Sequence, residues 1–138
     1  MSRIFLDTNA AIAIMNGKPV QVCRRFSEAM GLGDQIDVSS IVLHELWYGV
    51  GRSNQYQRSL EAVNTFLAGP IEVTPFDSED ARAAGEIRAL LTAKGTPIGP
   101  YDVLIAGQAL RHGATLVTAN ARELRRVPGL KVVDWTRK

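Results

Sequence analysis

Residues 3–12 read Arg3-Ile4-Phe5-Leu6-Asp7-Thr8-Asn9-Ala10-Ala11-Ile12, and the change of pattern inside them decides the fold. Arg3 to Leu6 is a short apolar run with the length and composition of a buried strand. A helical pattern begins just after Asp7 and ends near Gly17. The chain passes from strand to helix with one acidic residue at the joint.

The same alternation continues outward from this stretch. Further strands are predicted at residues 37–39, 71–74, 115–118 and 131–134, all short and mostly rich in Val and Ile. Helical patterns fill the intervals, at about 19–31, 41–50 and 56–67. Ser39 or Ser40 can cap the second of these. Asp77 caps a long helix running through Lys94, whose apolar positions Ala84, Ile87, Leu90 and Leu91 share one face and which Gly95 ends. Gly99-Pro100 opens another, with Pro at the first helical position, and Gly113 closes it. Strands alternating with helices predict right-handed βαβ units. The expected fold class is α/β, with three α/β/α layers around a mainly parallel sheet of about five strands. In such sheets ligands bind beyond the carboxyl ends of the strands, where the strand order reverses. Asp7-Thr8-Asn9 and Thr118-Ala119-Asn120 are polar segments leaving strands at that end.

The totals agree with one compact domain over residues 1–138. The chain is 46% hydrophobic and 22% charged, an ordinary globular balance. Sixteen basic residues against fourteen acidic ones leave a charge of +2, which permits contact with a nucleic-acid backbone without demanding it. Cys23 is the single cysteine, so an internal disulfide and a thiolate metal site are both excluded. A reducing cytoplasm is the expected compartment. No run approaches the ~18–20 apolar residues of a membrane-spanning helix. Asp7 interrupts the apolar N-terminus and no secretory cleavage pattern follows, so the chain reads as mature from its first residues.

Three acids stand where acids are costly. Asp7 follows Ile4-Phe5-Leu6, Glu45 lies in Ile41-Val42-Leu43-His44-Glu45-Leu46-Trp47-Tyr48, and Asp102 lies in Pro100-Tyr101-Asp102-Val103-Leu104-Ile105-Ala106. None of these runs contains a Lys or Arg. A buried unpaired carboxylate costs several kcal/mol, against a net stability of ~5–15 kcal/mol. Convergence on a hard divalent cation would offset that cost, since Mg²⁺ and Mn²⁺ prefer oxygen ligands. The plain alternative is that Asp7 and Asp102 simply favour helix starts. Glu45 falls inside its helix and fits that alternative less well.

Other motifs are weaker. His44-Glu45 opens like a zinc-protease motif, but Tyr48 stands where the second His is needed. His112 is isolated and reads as packed or solvated. Gly31-Leu32-Gly33 is too short for a phosphate loop. Trp47 and Tyr48 read first as core, and otherwise as a partner surface.

Leu6-Asp7-Thr8-Asn9, Leu43-His44-Glu45-Leu46, residues 95–102 (Gly-Thr-Pro-Ile-Gly-Pro-Tyr-Asp) and residues 116–124 (Leu-Val-Thr-Ala-Asn-Ala-Arg-Glu-Leu) together resemble, in order, the motifs of PIN-domain nucleases. The nearest resemblance is to the VapC toxins of bacterial toxin–antitoxin pairs, and it spans essentially the whole chain. It implies a PIN-like fold and an endoribonuclease dependent on Mg²⁺ or Mn²⁺. It further implies a cognate antitoxin and a homodimer within a larger complex. By motif, Asp7, Glu45 and Asp102 match the family's metal-binding acids. Asn120 matches a fourth catalytic position, often Asp, so one negative charge is missing; Glu123, one turn on, is a candidate to replace it. Thr8, Asn9 and Thr118 would support the ligands, and Arg122 would meet RNA, ahead of Arg24, Arg25, Arg82, Arg88, Arg125 and Arg126. Initiator tRNA is the expected substrate by resemblance, and cleavage should leave 5′-phosphate and 3′-hydroxyl ends.

Three rival readings differ at named positions. A haloacid-dehalogenase-type phosphatase needs an Asp where this chain has Asn9. A receiver-like signalling domain needs an acceptor Asp after the third strand, where Val73-Thr74-Pro75 stands. A housekeeping PIN-domain RNA-processing nuclease would share every motif and lack an antitoxin.

Overall fold

A computed structural model describes residues 2–137. The elements run β1 (Arg3–Leu6), α1 (Thr8–Asn16), α2 (Val20–Gly31), β2 (Gln35–Ser39), α3 (Ser40–Gly51), α4 (Tyr56–Leu67), β3 (Glu72–Thr74), α5 (Ser78–Ala93), α6 (Pro100–Arg111), β4 (Thr115–Val117), α7 (Ala121–Leu124) and β5 (Lys131–Val133). The five strands form one sheet in the order β3-β2-β1-β4-β5, and every neighbouring pair is parallel. The architecture is the expected three-layer α/β/α arrangement.

The predicted elements are present, with small shifts at their ends. The strands stop a residue early at Val117 and Val133, and β3 starts at Glu72. The one-turn helix α7 has no counterpart in the predicted elements. Its four residues are too few to show a helical period.

The order places β1 at the centre. From β1 the chain steps to β2 and β3 on one side, then returns to lay β4 on the other. The switch point therefore lies between β1 and β4, where Ile4, Phe5 and Leu6 pair with Thr115, Leu116 and Val117. The central strands are buried as their apolar runs require: Phe5, Leu6, Val38, Leu116 and Val117 pack against Val42, Leu46, Ile105 and Ala109 from the helices.

Helix ends follow local chemistry. Ser39 Oγ accepts from the Ile41 N–H at 3.0 Å and caps α3, while Ser40 Oγ accepts from the Phe76 N–H at 2.9 Å and ties α3 to the segment after β3. Asp77 and Asp80 form a reciprocal capping box on α5. Helix α5 then packs very closely on α6: a Cβ on Gly107 would stand 2.7 Å from the backbone N and Cα of Ala84. Only glycine fits that crossing, and the crossing fixes the helix that carries Asp102.

Candidate active site

Asp7 ends β1 and begins α1. Its backbone N–H donates to Val117 O at 3.1 Å, which seats it beside the end of β4, and its Oδ1 accepts from the Ala10 N–H at 2.8 Å. The helix-cap alternative is therefore correct for Asp7 as far as it goes. It does not remove the cost of burial, because the residue is only 7% exposed. Burial raises its pKa; the Thr118 hydroxyl and the Ala10 N–H oppose that rise, and the charges of Asp102 and Glu45 add to it.

Asp102 lies in the first turn of α6, whose N-cap is Gly99. A Cβ on Gly99 would stand 3.2 Å from Asp102 Oδ2, so the backbone approaches this carboxylate closely. Burial again raises the pKa, followed by the charges of Glu45 and Glu123. Glu45, on α3, accepts at Oε1 from the Thr8 hydroxyl at 2.6 Å. Three elements that are far apart in sequence thus bring their acids within electrostatic reach of one another.

The fourth motif closes the remaining side. Thr118 is fully buried, and its Oγ1 accepts from the Asn120 N–H at 3.0 Å. The Asn120 carboxamide donates through Nδ2 to Glu123 Oε2. Arg126 Nη1 donates to Pro97 O at 3.2 Å and stands 4.0 Å from Glu123 Oε1. Arg122 is exposed and, among the described residues, forms no ion pair. Asn9 is also exposed and lines a small crevice with Thr118, Ala119 and Asp134 rather than bonding to an acid of the site. His44 and Tyr101, each preceding a site acid, place their rings 5.8 Å apart. Among the described residues, no group of three or more His, Cys, Asp or Glu side chains is arranged to hold a metal ion as it stands.

The treatment of other buried acids supplies a contrast. Asp37 and Asp80 are fully buried. Asp37 receives Arg3 Nε at 2.8 Å and the Thr74 hydroxyl at 2.7 Å, and Asp80 receives Arg111 Nε at 2.6 Å. Among the described residues, no Lys, Arg or His comes within ion-pair distance of Asp7, Glu45 or Asp102. Sequence reading did not single out Asp37 or Asp80, because their arginines lie 34 and 31 residues away. It also gave no sign that Arg126 tethers Pro97. His112 is packed as expected: its ring lies 5.7 Å from that of Phe5, and Nδ1 faces Arg3 Nη1 at 2.9 Å.

A parallel sheet of this order, with acids gathered at its switch point, defines a class that comparison with known proteins names. The PIN domain family model matches residues 4–130, and the chain belongs to that family. Within it, the full-length likeness is to VapC proteins. The tRNA(fMet)-specific endonuclease VapC of Salmonella typhimurium is 41% identical over 135 residues, covering 98% of this chain and 99% of that protein. The DNA-bound VapBC structure from Salmonella typhimurium superposes with a TM-score of 0.88 at 41% identity, covering 98% of this chain and 99% of that one. VapBC2 from Rickettsia felis, solved bound to a DNA fragment from its promoter, gives 0.89 at 34% identity, covering 96% and 98%.

Proposed function

We propose that this chain is the toxin of a toxin–antitoxin pair, a single-domain endoribonuclease that needs a divalent cation. One observation carries the site assignment. The protein neutralises its buried acids Asp37 and Asp80 with arginines, and leaves Asp7, Glu45 and Asp102 without a cation among the described residues. The relatives' names, ribonuclease and tRNA endonuclease, support the reaction class.

The donor set fits a hard cation: carboxylate oxygens, uncompensated, with Asp7 and Asp102 both destabilised in their charged form by burial and by the charge of Glu45. Asp7, Glu45 and Asp102 would hold Mg²⁺ or Mn²⁺. That cation, when bound, supplies Lewis-acid chemistry toward a phosphodiester and the water that cleaves it. The chain's own residues do the positioning. The Thr8 hydroxyl fixes one oxygen of Glu45, and the Asp7 backbone is pinned to β4. Thr118 spans from Asp7 to the Asn120 backbone. Arg122, exposed beyond Asn120, is placed to meet an RNA phosphate.

Initiator tRNA is the proposed substrate, from the Salmonella relative's name. A cognate antitoxin is the proposed partner, since the similar structures are VapBC assemblies, and a homodimer within the larger complex is the proposed state. No described helix is long and apolar enough to cross a membrane, and the cytoplasm is the proposed place of action.

Asp7→Asn tests the reading. Asn keeps a cap acceptor for α1 and removes the charge. The variant should lose RNA cleavage by at least about a hundredfold, the most that changing a residue that merely supports a metal ligand typically costs. The wild type should leave 5′-phosphate and 3′-hydroxyl ends, read by sequencing RNA termini. Cleavage by Asp7→Asn at the wild-type rate would refute the assignment.

A further inference from the structure

We infer that the rings of His44 and Tyr101, continued along α3 by Tyr48 and Arg52, form a stacking platform for the bases of single-stranded RNA beside the acids, an inference that rests on the nuclease reading above. Each of the first two rings immediately precedes an acid of the site: His44 before Glu45 on α3, and Tyr101 before Asp102 on α6. Where the two helices meet, the acids come within electrostatic reach of each other, and the rings come to 5.8 Å between centroids with a tilt of 47°. That spacing is typical of aromatic pairs. Neighbouring side chains on a helix diverge by about 100°, so the rings stand to one side of the carboxylates. Both rings are exposed, Tyr101 by 46%.

The platform continues along one face of α3. His44, Tyr48 and Arg52 recur at a spacing of four residues, which makes them neighbours on a helix surface. Tyr48 is 62% exposed, and the Arg52 guanidinium lies over its ring at 5.5 Å. Among the described residues Arg52 forms no ion pair, so its charge is open to a phosphate. Single exposed apolar side chains are ordinary, whereas a contiguous group marks a binding surface. Rings joined to an unpaired guanidinium, beside acids that act on a phosphodiester, have the composition of a single-strand groove. Every base has a face that such a ring can cover, so the platform seats the nucleotides next to the scissile phosphate without selecting their sequence. The unpaired charge of Arg52 favours a polyanion over a second copy of the chain on this face.

The experiment measures, by fluorescence anisotropy, the binding of a labelled oligouridine of about ten nucleotides, within the site sizes of single-strand binders. The protein is the full chain carrying Asp7→Asn, so that the RNA is not cut. Adding Y101A should weaken binding by about fivefold to a hundredfold, the loss of one base–aromatic stack. H44A and Y48A should each weaken it as well. Y101L keeps apolar bulk without a ring and should bind as poorly as Y101A, whereas Y101F should recover the affinity. An abasic strand of the same length should bind poorly and respond little to Y101A. These side chains are exposed, so melting temperatures should match that of the parent. Parental affinity in Y101A, or in Y101L, would overturn this inference while cleavage by the wild type keeps the nuclease reading standing. So would a dimer, seen by sedimentation, that dissociates in Y101A or Y48A while RNA affinity holds, because a second copy would then occupy the face. A wild-type chain that cuts no RNA with Mn²⁺ present would overturn the nuclease reading itself.

Discussion

The charge state of single buried acids separates two uses of the same residue type. Asp80 is fully buried and paired with Arg111. Removing Arg111 would leave the Asp80 charge buried with less compensation, which is destabilising. Arg111→Ala should lower the urea midpoint of unfolding, with no role in cleavage beyond loss of folded protein. Asp7 should behave oppositely. Its folded-state pKa is raised, so its contribution is favourable below the ordinary carboxylate pKa and is lost as pH rises through the raised value. At neutral pH without metal the charged form is a burden. The inactive Asp7→Asn protein should therefore melt above metal-free wild type at neutral pH, and the gap should close as the solution is acidified. His112 has the opposite sign. Burial, then Arg3 and Arg111, depress its pKa below the usual 6.5. Unfolded chain takes up the proton first, so stability falls as pH drops below about 6.5. His112→Gln should flatten that limb of the stability–pH curve, measured by thermal melts in a buffer series.

Elements carry the next level of precision. The α5–α6 crossing is closed at Gly107, where a Cβ would meet Ala84 backbone at 2.7 Å. Gly107→Ala should cost about 1–3 kcal/mol, the range for overpacking a tight contact. It should also shift α6 and weaken metal binding through Asp102. A glycine inside a helix gives no hint of this in sequence, since the reason lies on another helix. Strands and longer helices were legible because each spans enough residues to show its period, and the caps Ser39 and Asp77 and the first-turn Pro100 mark where helices start. Helix α7 was not, being four residues long. From the residues themselves, the approach of Asp7, Glu45 and Asp102 to one another was legible only as a cost that needed an explanation; the motif resemblance supplied the rest. The arginines of Asp37 and Asp80 were invisible for the same reason that they matter: they come from distant elements.

At the scale of the molecule, the strand order places every element of the site around one seam. Asp7 leaves β1, Glu45 sits on the helix after β2, Asp102 begins the helix before β4, and Thr118 leaves β4. The parallel connections are long, so central contacts join distant residues and folding should be slow compared with a helical bundle. The pairing of Ile4 with Thr115 and Leu6 with Val117 is the last union the centre of the sheet can make. During synthesis Asp7 leaves the ribosome well before β4, whose first residue, Thr115, lies 108 positions further along the chain. Until then β1 lacks one neighbour, and Thr118 does not yet exist to hold its place beside Asp7. On the proposed reading, a chain that has not yet laid β4 beside β1 has no assembled pocket with which to cut RNA, so the order of synthesis itself delays the activity.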